Sequence, residues 1–200
     1  KYVSAEFPQT EIRKIEKEVK SGPLILSKSQ AKVLIPIFTG THGEYSLAQA
    51  FERAGAQVET LVFKSLSQKH IEESYKELAE RIKKAQIIGL AHGSILGGQP
   101  ETGGKLLKLI LNNPLIKEEI NKHLSLRDGL ILGIGDGFQG LLKAGLISKG
   151  QVTDLEKSPL LVGNEAGGFL STMVDIEVSS NKSPWMANME VGQIYSSALG

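Results

Sequence analysis

The feature that most constrains the fold is the segment 130–139, in which an apolar run meets three glycines at alternate positions and continues as an amphipathic stretch. This pattern predicts a strand, a sharp turn and a helix, as in a nucleophile elbow, where a reactive side chain stands on a strained turn. Strand and helix approach closely there, and Gly133 and Gly137 are the small residues that such packing needs. The apex is Gly135, which has no side chain. The sequence therefore predicts the frame of an active site without its nucleophile.

Strand and helix candidates alternate along most of the chain. Strands are predicted over 33–38, 58–63, 87–91 and at the start of the elbow, and helices over 44–54, 68–84, 105–111, 115–124 and 138–144. This alternation predicts an α/β fold: a doubly wound, mostly parallel sheet of about five or more strands with helices on both faces. Segments 169–178 and 191–196 are expected to form a small C-terminal β flap. Residues 1–31 are interpreted as a charged helix (11–20) and a linker, and 32–200 as the main domain.

Composition narrows the function classes. The 23 basic and 22 acidic residues nearly balance, so no global charge favours nucleic acid or a membrane surface as a partner. Neither a signal peptide nor an 18-residue apolar run is found, and we expect a cytoplasmic protein. The chain has no cysteine, which excludes disulfides, thiolate metal sites and cysteine nucleophiles.

In a doubly wound sheet, ligands bind beyond the carboxyl ends of the strands. Loops 39–43, 92–104 and 135–137 should meet there, and their backbone N–H groups could bind an anion or oxyanion. The alternative is that their glycines only make tight turns. The candidate pocket residues are Gly40, Thr41, His42, His92, Gly93, Gly135, Asp136 and Gln139.

Two of these residues raise a second hypothesis. His42 and His92, with Glu44 and Asp136 nearby, would suit a zinc-like ion with one open position. Their spacing matches no known ligand pattern, so solvated loop histidines are the simpler interpretation, and we predict no metal.

Other single residues have structural interpretations. His70 and His123 are placed on predicted helices as partly exposed surface residues. Trp185 is interpreted as a packing anchor, with an interface role as the alternative.

The chain resembles class I glutamine amidotransferase domains, and in particular the C-terminal glutaminase domain of phosphoribosylformylglycinamidine synthase, a purine-biosynthesis ligase. The resemblance covers residues 32–197, with a flavodoxin-like fold. It rests on segments 33–41, 50–56, 127–134, 137–139, 180–185 and 191–195, of which Asn181-Lys182-Ser183-Pro184-Trp185 is the most specific.

The family hydrolyses glutamine with a Cys-His-Glu triad and passes the ammonia to a synthetase domain. This chain has Gly135 where the family has the cysteine and Asp136 where it has asparagine. It has Ala91-His92-Gly93-Ser94 in place of Pro-Gly-Gly-Phe, and it has His42-Gly43 in place of Asn-Cys. The family's Gly-Arg-His segment corresponds to Gly167-Gly168-Phe169, and its Ser-His-Gly-Glu motif is not found before Gly200.

The resemblance implies a degenerate glutaminase domain, a pseudoenzyme without cofactor, that packs on a synthetase domain or subunit. The alternative is a free-standing domain that has reused the pocket at the sheet edge for a small molecule or a metal.

Overall fold

The computed structural model of the chain describes residues 30–93, 103–153, 161–163 and 170–199. These residues belong to two compact units, one within Ser27–Gly167 and the other including residues 170–199. The predicted helix 11–20, most of the linker, residues 94–102 of the glycine-rich loop and Gly167-Gly168-Phe169 lie outside the described residues. The domain boundary at residue 31 stays a prediction.

The first unit is built on a parallel sheet. Its strands are β1 (Lys32–Ile37), β2 (Gln57–Val62), β3 (Ile87–Leu90) and β4 (Leu130–Gly133), in the order β2-β1-β3-β4. The predicted α/β fold is confirmed, and so is its parallel sheet. The expectation of five or more strands was wrong for the described residues, in which this sheet has four strands. Strands β5 (Thr172–Glu177) and β6 (Ile194–Leu199) form a separate pair.

Helices cover both faces of the sheet, as predicted. They are α1 (Glu44–Arg53), α2 (Gln68–Lys84), α3 (Lys105–Leu111), α4 (Pro114–Ser125), α5 (Asp136–Lys143) and the short α6 (Leu146–Lys149). Alternate residues of β1 separate the two cores: Val33 and Ile35 pack against α1, while Leu34 belongs to the larger core with α2, α3 and α4. A strand with both faces buried explains the unbroken apolar run of β1.

The strand order places the switch point of the sheet between β1 and β3. From β1 the chain crosses to β2 on one side and later to β3 on the other, so the loops after β1 and β3 leave the sheet in opposite directions. Side-chain caps determine where two of the helices begin. Ser67 caps α2 by accepting a hydrogen bond from the His70 amide, and Asn113 caps α4 in the same way through the Leu115 amide.

The described part of the second unit, residues 170–199, is an antiparallel pair of β5 and β6 with a short 3₁₀ turn at Pro184–Met186 between them. The predicted C-terminal β flap is therefore confirmed, although β6 begins three residues later than expected. Ser183 caps the 3₁₀ turn through the Trp185 amide. Trp185 is 38% exposed.

His123 corrects a prediction. It was expected on a helix surface, but its side chain is fully buried, because the missing Cβ of Gly129 lets the ring pack against the backbone before β4. Its Nε2 lies 3.2 Å from the carbonyl oxygen of Leu130, while its Nδ1 is buried without a hydrogen-bond partner among the described residues. This burial lowers the pKa of His123. His70, by contrast, is partly exposed as predicted.

Candidate functional site

A cleft opens at the switch point of the sheet. It encloses about 450 Å³ including its open mouth. Apolar side chains make most of its wall, and the lining residues described are Pro36, Phe38, Thr39, Thr41, Leu90, Ala91, Gly93, Gly104, Leu106, Leu107, Asp136 and Gly137. The loops after β1, β3 and β4 thus come together at one edge of the sheet, which is where an open α/β sheet binds its ligands.

The elbow is formed as the glycine pattern predicts. Gly135 precedes α5 with φ 56° and ψ −116°, a conformation that a residue with a Cβ adopts only under strain. A Cβ at Gly137 would collide with the carbonyl of Leu90, and one at Gly133 would lie 2.7 Å from the Phe138 amide nitrogen. Helix α5 therefore approaches β4 through the backbone at Gly133 and the end of β3 through the backbone at Gly137.

The loops after β1 and β3 are bonded to each other. The His92 carbonyl accepts hydrogen bonds from the amides of His42 (3.1 Å) and Gly43 (3.2 Å), and the Thr41 amide bonds to Phe38. Gly93, at φ 126°, lies so close to Thr41 that a Cβ would come within 2.8 Å of its Cα. The amides of Thr41, His42 and Gly43 are consequently occupied, and the expectation that this loop offers N–H groups to an anion was wrong for these three.

The imidazole of His92 stands beside the apex of the elbow. A Cβ added at Gly135 would collide with His92 Nδ1 and lie 3.0 Å from its Cγ, so the ring fills the space where a nucleophile's side chain would begin. The His42 and His92 rings pack edge to face with centroids 4.7 Å apart, and both side chains are exposed. Among the described residues, no three His, Asp or Glu side chains group closely enough to hold a metal ion.

A buried polar cluster follows the elbow along α5. Asp136 is 6% exposed and Lys143 is 8% exposed, and the Lys143 ammonium donates to the carbonyl of Gly103. The Gln139 Oε1 faces the same glycine and is buried without a hydrogen-bond partner in the described part of the chain. Asp136 lines the cleft, and a Cβ at Gly103 would lie 2.9 Å from its Oδ1.

Sequence reasoning identified Asp136 and Gln139 but missed Lys143 and Gly103. A spacing of three and four residues along a helix could have found the lysine, because residues 136, 139 and 143 lie on one face of α5. The role of Gly103 depends on a close approach of two distant segments, which no local pattern reports. No helix in the described residues is long and apolar enough to cross a membrane.

Known proteins match this chain over most of its length. The profile of the CobB/CobQ-like glutamine amidotransferase domain family matches residues 30–198. The phosphoribosylformylglycinamidine synthase subunit PurQ of Dehalococcoides mccartyi is 32% identical over 144 residues, which are 70% of this chain and 50% of that protein. The structure of PurLQS from Thermotoga maritima aligns with a TM-score of 0.58 and 21% identity, over 86% of this chain and 66% of that one. The chain thus spans about half the length of its curated relative.

Proposed function

The chain belongs to the CobB/CobQ-like glutamine amidotransferase domain family, and we propose that within this family it has lost glutamine hydrolysis. The observation that carries this proposal is the bare apex of the elbow. Gly135 keeps the backbone turn that would present a nucleophile, at φ 56° and ψ −116°, but it has no atom that can attack an amide carbon. No cysteine stands elsewhere in the sequence to replace it.

The surroundings of Gly135 support the same proposal. The His92 ring occupies the position of a Cβ at residue 135, and the loop after β1 uses its own amides to bind the His92 carbonyl. Loss of the nucleophile from a catalytic unit costs on the order of 10⁶ in turnover. A glutaminase without cysteine and with this space filled would have no measurable activity.

We further propose a structural, partner-binding role in a phosphoribosylformylglycinamidine synthase-like assembly of purine biosynthesis. This proposal rests on the similarity to a synthase subunit and on the fold shared with PurLQS. The partner would be the synthetase component encoded by the same genome. The domain would then contribute surface to the assembly and no ammonia.

Two measurements test these proposals separately. Ammonia release from glutamine should equal the buffer background, with an intact Cys-His-Glu amidotransferase as the positive control. Turnover at a thousandth of a typical rate of roughly 10 s⁻¹ would overturn the loss of hydrolysis.

The partner role is tested by size-exclusion chromatography of the chain mixed with the synthetase component. Co-elution in a complex of defined stoichiometry is the expected result. Separate elution at protein concentrations of tens of micromolar would contradict the structural role, whatever the outcome of the glutaminase assay.

A further inference from the structure

Asp136 is the ionisable residue in the described lining of the cleft. Its side chain is 94% removed from solvent, being 6% exposed. Yet no hydrogen bond or ion pair to its carboxylate is found among the described residues, and the nearby Lys143 ammonium bonds to the carbonyl of Gly103 instead. Buried charges in proteins are almost always paired, because removing a carboxylate from water is costly. An unpaired carboxylate that faces a cleft therefore indicates a missing cation.

One neighbouring buried oxygen is an acceptor as well. Gln139 Oε1 is buried beside Gly103 with no hydrogen-bond partner in the described residues, close to the Asp136 carboxylate. On the opposite side of the cleft, the amides of Thr41, His42 and Gly43 are already occupied. Among the described lining residues, the charged group that faces a ligand is the Asp136 carboxylate, which suits a donor-rich group such as an ammonium and repels an oxyanion or a carboxylate.

The rest of the wall is apolar. Phe38, Leu90, Leu106 and Leu107 line the cleft, and Leu90 and Leu107 belong to the buried core. We propose that this cleft binds a small primary amine with an apolar body, whose ammonium pairs with Asp136 and whose body packs on these side chains. The inference goes beyond the proposed function, which assigns no ligand, and it does not depend on the presence or absence of glutamine hydrolysis.

Three probes with one carbon skeleton test the proposal on the full 200-residue chain: 3-methylbutylamine, 3-methylbutan-1-ol and 3-methylbutanoate. Isothermal titration calorimetry should show the amine binding in roughly the millimolar range, as expected for a ligand of about six heavy atoms. The alcohol should bind at least about tenfold more weakly, because it keeps the apolar contact and loses the charge, and the carboxylate should not bind. Equal binding of amine and carboxylate, or binding of none of the three, would overturn the proposal.

The variant Asp136→Asn keeps the side-chain shape and removes the charge. It should bind the amine at least about tenfold more weakly, while binding of the alcohol is unchanged. Glu52→Gln, on the exposed surface of α1 and outside the described cleft lining, removes the same charge and should bind the amine as the parent does. If Asp136→Asn binds the amine as tightly as the parent chain, the carboxylate is not the counterion and the proposal fails.

A second readout is the melting temperature. The amine should raise the melting temperature of the parent chain, because it binds the folded state, and Asp136→Asn should abolish that rise. An equal rise in the parent and in Asp136→Asn would mean that the amine does not pair with the carboxylate, which contradicts the proposal.

Discussion

Replacing Gly135 by alanine tests the elbow most directly. The substitution adds one Cβ and changes nothing else in the chain. At φ 56° and ψ −116° this Cβ is strained against its own backbone, which costs about 1–3 kcal/mol. It also collides with Nδ1 of His92. Because the His92 side chain is exposed, its ring can turn away, and we expect that movement to cost about 0.5–1.5 kcal/mol.

The expected total is a loss of about 1.5–4.5 kcal/mol in the free energy of unfolding, the sum of the two contributions. A double-mutant cycle separates them. In a His92→Ala background the collision is absent and only the backbone strain remains, so Gly135→Ala should cost about 0.5–1.5 kcal/mol less there than in the parent chain.

Gly150→Ala is the matched control, since Gly150 has φ 69° and an added Cβ would meet nothing within 4 Å. That variant should lose only the cost of a left-handed backbone, about 1–2 kcal/mol, and should show no coupling to His92→Ala. Urea unfolding followed by circular dichroism gives all the values, with the m-value as a check for two-state behaviour. A loss for Gly135→Ala no greater than that for Gly150→Ala, with no coupling to His92, would refute the geometry of the elbow.

Three further predictions concern the site and its support. Gly135→Cys alone should release no ammonia from glutamine, because its Cβ collides with the His92 ring. The ring must turn away to admit the thiol, and it then no longer stands where it could accept the thiol proton; ammonia release is the measurement. Burial lowers the pKa of His123, so the unfolded chain takes up a proton at a higher pH than the folded chain does. The free energy of unfolding should therefore keep its full His123 contribution above roughly pH 6.5 and decrease as the pH drops below that value. His123→Gln should flatten this dependence in thermal melts at about pH 5–7. Arg127→Met should lower the free energy of unfolding by about 1–3 kcal/mol, as measured by urea unfolding. The buried Glu119 carboxylate loses two hydrogen bonds of 3.2 Å, and the Glu119 backbone carbonyl loses one of 2.8 Å.

Local pattern was sufficient for most of the first unit. The bounds of α2 and α3 were predicted to the residue, because helix ends and apolar stripes depend on residues that are close together in the sequence. The number of sheet strands was overestimated for the described residues, since the alternation of strand and helix patterns predicts a parallel sheet but does not set how many strands it has. His123 was misplaced because its burial depends on a close approach to Gly129, which has no Cβ, and helical spacing does not report that approach.

The candidate site shows the same division. The glycines at 133, 135 and 137 predicted the turn, because a turn is a local property of the chain. The filling of its apex by His92, and the occupied amides of the loop after β1, arise where segments about fifty residues apart in the sequence touch, and no spacing within one segment encodes them. The buried polar face of α5 could be predicted only in part. Helical spacing places Lys143 on the same face as Asp136, but it does not predict which carbonyl accepts a hydrogen bond from the ammonium.

The persistence of the elbow without a nucleophile has a physical explanation. The turn is imposed where α5 packs on two neighbouring strands. Gly133 of β4 lies against the Phe138 amide, and Gly137 of α5 lies against the carbonyl of Leu90 at the end of β3. These contacts fix the path of the chain on both sides of residue 135, whatever residue stands there. Glycine adopts the required conformation freely, so the turn costs least when its apex is glycine. An elbow with glycine at the apex is therefore a less strained form of the same scaffold. A nucleophile at this position would carry a Cβ and hold the backbone under strain, and Gly135 has neither the side chain nor that strain.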